Sequence, residues 1–245
     1  MKKRDWMVFA ALAVAAVVTR AGQMLTGFDD TGLPVRGNVF GILLPVVLAA
    51  AAVYFCLAAR GLSAERSDRR GLADRFRFSG MASVTAAVCG TFLVLAGAGM
   101  SVLRTSSTLT LLLAVFDAAS ALCLLYAVFG LYRGGGVQGM ALLVPVCALV
   151  VNLILRYRAD ASDPVLGHVY VELLALAALT ACALELAAFA FRNGSPRVFL
   201  PLAALSALLA AAAAAEWQSL PYTLLFAGCA LLALGFLAAA RLDET

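Results

Sequence analysis

His168 and Glu172 stand four residues apart, a spacing that on a helix puts both side chains on one face. An imidazole beside a carboxylate can act as a general base or offer two ligands to a metal, but two ligands do not complete a site. His168 is the chain's only histidine, which excludes multi-histidine metal centres and HExxH chemistry. Nearby in sequence or in expected depth lie Arg20, Gln23, Asp29, Asp30, Arg36, Arg156, Arg158, Asp160 and Asp163, flanked by Tyr157 and Tyr170. If they converge, Arg20, Arg156, Asp160, Asp163, His168 and Glu172 form a candidate ligand site. Its guanidinium groups would favour a carboxylate or phosphate through bidentate pairing. The plainer reading is ordinary loop polarity, since Asp163-Pro164 and Thr31-Gly32 are turn formers.

Two further acids sit inside apolar runs, where an ionisable group costs about 2.5–3.5 kcal/mol at mid-helix and so faces protein or water. Asp117 lies about 12 Å below one end of its run and Glu185 about 9 Å above the opposite end of its own, at 1.5 Å per residue. That depth difference excludes a close carboxylate dyad of the aspartyl-protease kind. Asp117 has Arg20 and Arg156 within expected reach, with Asn152 one turn beneath Arg156, so an Asp–Arg pair could tie two helices or gate a charged solute. Glu185 has Arg192 or Arg133 as distant partners, and a helix-to-helix hydrogen bond is its plainer role.

What must position these groups is a membrane. Of 245 residues, 64% are hydrophobic and 13% charged, whereas a soluble domain carries about 25% charged residues. The fold class is therefore all-α, a polytopic transmembrane helix bundle in one integral domain. Runs long enough for a core of roughly 30 Å cover residues 6–25, 37–59, 78–100, 109–131, 140–155, 169–191, 198–216 and 220–240, eight spans with seven as the alternative count. The fifth is the shortest. Pro45, Pro145, Pro201 and Pro221 fall within spans, where neighbouring helices can satisfy the freed carbonyls. Lys2, Lys3 and Arg4 before the first run resemble a signal peptide, but Thr19-Arg20-Ala21 is a poor cleavage site, so an uncleaved span is expected.

The basic loop at 60–77 sets the orientation. It holds Arg60, Arg66, Arg69, Arg70, Arg75 and Arg77, and short basic loops stay cytoplasmic. With both termini inside a cell membrane, thirteen of the 18 basic residues fall on the cytoplasmic side and five outside, which places the polar cluster on the exterior. Arg66, Arg69, Arg70, Arg75 and Arg77 are the expected contacts for anionic lipid headgroups or an acidic partner. The plainer role of the run Arg75-Phe76-Arg77-Phe78 is a topology anchor with an aromatic belt residue. Arg20 and Arg156 each close an outward run before an acidic turn, a pattern that would suit a four-plus-four parallel repeat.

Remaining signals are weaker. Gly37-x-x-x-Gly41 and the alanines from Ala210 to Ala215 permit close helix approach. The six cysteines lie in apolar runs without CxxC spacing, so neither a disulfide framework nor a zinc site is readable. No phosphate loop, nucleophile elbow or dinucleotide fingerprint occurs, and nothing calls for a cofactor, a resident metal or nucleic acid. Three functions follow. The first is binding or transport of a small polar or anionic solute through an exterior pocket, with Asp117 as a gate beneath it. The second is a non-catalytic structural or regulatory subunit, paired with another membrane protein or with a second copy. Last comes an enzyme built on His168 and Glu172, which lacks a matched nucleophile and a third ligand.

Overall fold

A computed structural model describes residues 3–28, 35, 38–62, 71–104, 107–160, 170–216 and 219–241. Among these residues there are nine helices and no strand: α1 Lys3–Thr26, α2 Val39–Ala59, α3 Leu72–Arg75, α4 Met81–Arg104, α5 Thr108–Tyr132, α6 Gly139–Asp160, α7 Tyr170–Ala190, α8 Pro196–Ala214 and α9 Leu220–Ala239. All except the single turn α3 are long and apolar enough to cross a bilayer, giving eight candidate spans. This is an all-α bundle. The ends that flank the 60–77 loop are called the basic end below, and the opposite ends the polar end.

Local chemistry sets the helix limits. Asn38 caps α2 by accepting from the Phe40 N–H at 2.8 Å. Pro196 and Pro221 occupy first turns, where a missing N–H breaks no hydrogen bond, so Pro221 opens α9 and does not interrupt it. Gly134, at φ 70, closes α5 in the left-handed region, and the Gly135 N–H reaches back to the Gly130 carbonyl. The fifth span is longer than hydropathy suggests: α6 has 22 residues, because Arg156, Tyr157 and Arg158 continue the helix beyond its apolar stretch. The shortest span is instead α8, with 19 residues.

Six helices, α4 to α9, each pack against the next, and α9 returns to α4, so they close a ring. Outside that ring, α1 and α2 pack on each other and on α8, which is the most buried span. The helix pairings differ between the chain's halves. α7 packs on α8, whereas the corresponding α2 has α1 and α8 as its neighbours, so the contacts do not follow a four-plus-four repeat. Large apolar side chains such as Val46, Val53, Phe92, Phe129 and Ile154 remain exposed on the bundle's outer surface. These are the faces that meet lipid.

The tightest seam is the antiparallel pair α4 and α9. A Cβ on Gly90 would come within 2.7 Å of the Gly228 carbonyl oxygen, and one on Gly228 within 2.6 Å of the Gly90 oxygen. Gly97 meets the Pro221 carbonyl and Gly235 the Ala87 backbone in the same way. Glycines seven apart on both helices therefore form a flat seam that lets the backbones touch, and close packing replaces the hydrophobic drive that lipid cannot supply. Gly41, singled out from sequence, meets only the Gln23 Nε2 at 3.7 Å, while Gly37 lies outside the described residues.

The basic end is filled. Residues 71–79 fold beneath the ring: the Arg77 N–H donates to the Ala239 carbonyl and the Arg241 N–H to the Arg75 carbonyl. This pins Phe76 edge-on against Phe189, Phe199 and Phe236, and Phe78 against Phe236. Phe78 is thus a core residue and not a belt residue, and α4 begins only at Met81. Arg75 is buried as well, so of the loop arginines expected to face headgroups only Arg77 is described and exposed. Arg66, Arg69 and Arg70 lie outside the described residues. Glu185 accepts from the Ser195 N–H at the start of α8, tying α7 to α8 instead of reaching Arg192 or Arg133.

Candidate functional site

At the polar end, side chains from four helices and one turn form a chain in which two acids lie between two arginines. Arg20, near the end of α1, is fully buried; its Nη2 and Nε donate to Glu216 Oε1 at 2.6 and 2.9 Å. Its Nη1 donates to Gln23 Oε1 at 2.8 Å, and its guanidinium lies 5.3 Å from the centre of the Tyr170 ring. Glu216 follows α8, just beyond its last turn, and its carboxyl also meets that of Glu172 on α7. Glu172 in turn binds Arg156 on α6, with Nη2 to Oε2 at 2.6 Å, and Arg156 stacks over the Tyr222 ring of α9 at 4.9 Å. The order is Arg20, Glu216, Glu172, Arg156.

Burial decides what these pairs are. The Arg20 and Glu216 side chains are 0% and 1% exposed, those of Arg156 and Glu172 21% and 3%. The first pair is therefore a sealed connection between α1 and the ring, held where a bare charge would be costly. The second is reachable from one side, through the Arg156 side chain. Burial pushes the Glu216 carboxyl up to about 8; Arg20 opposes that rise and the neighbouring Glu172 adds to it. Two carboxyls that meet between two guanidiniums are a natural seat for a proton.

Arg156 and Glu172 form part of the wall of a cavity of about 150 Å³ enclosed by α5, α6, α7 and α9. Thr110 and Asn152 add polar groups, while Leu109, Leu113, Leu155, Leu176, Leu225 and Phe226 make most of the wall apolar. Sites for drug-sized ligands run from roughly 300 to 1,000 Å³, so this one suits a smaller solute. Further toward the basic end a second cavity of about 40 Å³ is lined by Asp117 and Ser120, and a third of about 70 Å³ by Cys182 and Phe199. Those two share Leu124, Pro145, Leu149, Cys229 and Leu232. Asn152, whose Nδ2 donates to Asp117 Oδ1 at 2.7 Å and to the Ala148 carbonyl at 3.2 Å, stands between the first cavity and the second.

The expected site is therefore partly assembled and partly rearranged. Arg156 and Glu172 come together, and Arg20 joins them at one remove. Asp117 pairs with neither arginine, because α1 packs outside the ring on α8 and because Arg156 bends to Glu172. The chain supplies α9, not α1, as the fourth cavity wall. Asp160 closes α6, but its side chain, like all of Asp163, His168, Asp29, Asp30 and Arg36, lies outside the described residues. Two residues that matter escaped the sequence reading. Glu216 is the only acid in the α8–α9 turn, a usable signal, but nothing local says that α1 runs beside α8. Tyr222 reads as an interfacial aromatic until α6 is placed against α9.

The fold and these spans define a class, an integral multi-pass membrane protein with a polar cavity at one end of a helix ring. Beyond that class, no protein family, no curated protein and no solved structure matches the chain.

Proposed function

We propose that this chain binds a small anionic solute in the cavity between α5, α6, α7 and α9, as a permease or a solute-binding membrane protein. The reading rests on one juxtaposition. A partly exposed arginine side chain, Arg156, stands in the wall of a mostly apolar cavity of about 150 Å³, at the end of the ring opposite the phenylalanine plug. In a low-dielectric wall such a group is a strong anchor for a carboxylate. Arg20 positions Glu216 and, through it, Glu172 and Arg156, and does not touch the solute. Asp117 and Asn152 stand as the gate beneath.

The proposed orientation puts both termini and the plugged basic end in the cytoplasm and the cavity outside, from the positive-inside bias. Exposed Arg77 is then left for anionic headgroups. A reporter fused after residue 245 checks it: activity confined to the exterior would reverse the faces. The solute reading is tested by melting the purified protein in lipid nanodiscs against a panel of small carboxylates, with Arg156→Gln beside the parent chain. Ligand-dependent stabilisation that disappears in the variant supports the site. Stabilisation that survives Arg156→Gln removes it.

A further inference from the structure

The solute's chemistry can be read further, on the assumption that the cavity reading holds. Of the two charges in the wall, Glu172 is shielded and Arg156 is the one a solute meets. Around it the wall is mostly aliphatic and aromatic, with Thr110, Asn152 and Tyr222 as its other polar side chains. One carboxylate on a short apolar tail fits that distribution; a second charged group would have to lie against leucines.

Charge balance supplies the rest. Among the described residues, Arg20 from α1 bonds Glu216 and Arg156 from α6 bonds Glu172, with Gln23 and Tyr170 against Arg20 and Tyr222 against Arg156. Among the described residues, a bound carboxylate would make three carboxyl groups against two guanidiniums in a site largely removed from water. Uncompensated charge there is costly, and a proton on the touching pair removes it. The raised Glu216 carboxyl agrees. The route beneath points the same way. The inner cavities are lined by Asp117 and apolar groups, with no basic side chain among their described lining residues. A bare anion would be repelled there; a carboxylate accompanied by a proton is neutral overall.

We propose that the cavity takes a small monocarboxylate with an apolar tail together with one proton, held on the Glu172–Glu216 pair. The balance is one carboxylate and one proton bound per chain, with no other bond made or broken.

The test is isothermal titration of the full chain in nanodiscs with 4-methylpentanoate, from pH 6 to pH 10, in two buffers of different ionisation enthalpy. Leucine and 3-methylbutylamine, which share its carbon skeleton, are titrated alongside. Expected is binding of 4-methylpentanoate with leucine and the amine at least about tenfold weaker. Its affinity should fall about tenfold per pH unit once the pair titrates, with about one proton taken up per ligand at the alkaline end. In Glu172→Gln, whatever affinity is retained should show little dependence on pH and no proton uptake. The proton count on the parent chain decides the matter even if that variant does not fold. Leucine binding tenfold tighter would overturn the monocarboxylate class, and binding without proton uptake would overturn the linkage. Either result leaves the cavity reading standing as long as Arg156→Gln abolishes binding. Failure of all three ligands, or binding indifferent to Arg156→Gln, would overturn both.

Discussion

Arg20→Met is the perturbation most tightly constrained by the geometry. Methionine keeps much of the side chain's length and apolar bulk but removes the donors to Glu216 at 2.6 and 2.9 Å and to Gln23 at 2.8 Å. Both members of the pair are sealed from solvent, so no water replaces the lost bonds. Removing one partner of a buried pair costs about 3–5 kcal/mol, against about 0–1 kcal/mol for an exposed one. In a chain of this length each kcal/mol moves the melting midpoint by roughly 2–4 °C, so the expected drop is roughly 6–20 °C. Thermal melts in nanodiscs followed by tryptophan emission measure it, since Trp6 lies on α1. The double variant Arg20→Met/Glu216→Gln should recover at least half the loss, because the carboxyl that had relied on the arginine is gone. A single variant within about 1 kcal/mol of the parent, or a double variant no better than the single, would refute the claim that this pair is buried and joins α1 to the ring.

The glycine seam predicts a contrast: Gly228→Ala must push α4 and α9 apart and lower the melting midpoint, whereas Gly99→Ala, with nothing within 4 Å of the new methyl, should leave it unchanged or slightly raised. At the plugged end, Phe76→Ala should cost about 3–5 kcal/mol in the same melts, while Arg77→Ala, on the exposed side of the same turn, should be near neutral. Equal effects at the two positions would mean the plug is not packed. Stability should also depend on pH through Glu216. Its folded-state affinity for a proton is raised, so the contribution is complete below the usual carboxyl range near 4.5 and is lost as pH rises through about 8. Melting midpoints should therefore fall from pH 5 to pH 9 in the parent chain and much less in Glu216→Gln; a parent profile that rises across that window would contradict the sign.

Much of the fold was legible residue by residue. Eight apolar runs, their rough limits and the segregation of charge into turns follow from length and hydropathy, because a span must satisfy its backbone internally and present about 20 apolar residues to lipid. The odd positions were legible too: Asp117 and Glu185 stand out as costly where they sit, and Arg20, Arg156 and Glu172 as members of a polar cluster. Their partners did not follow, since depth along the membrane normal says nothing about neighbours around it. Arg20 and Asp117 are at compatible depths yet belong to helices that do not pack extensively on each other, while Glu216, in a short turn, takes the arginine. The phenylalanines of the basic loop likewise read as boundary residues, and only the packing of residues 71–79 under the ring makes them a plug.

Sequence alone thus determined that this chain lives in a bilayer, how many times it can cross, and which charges need company. The closing of six helices into a ring, the exclusion of α1 and α2 from it, and the cavity beside Arg156 were decided by side-chain fit between helices remote in sequence. Such fit depends on where glycines let backbones touch and where phenylalanines fill space, and that information is spread over pairs of helices and not written in any one of them.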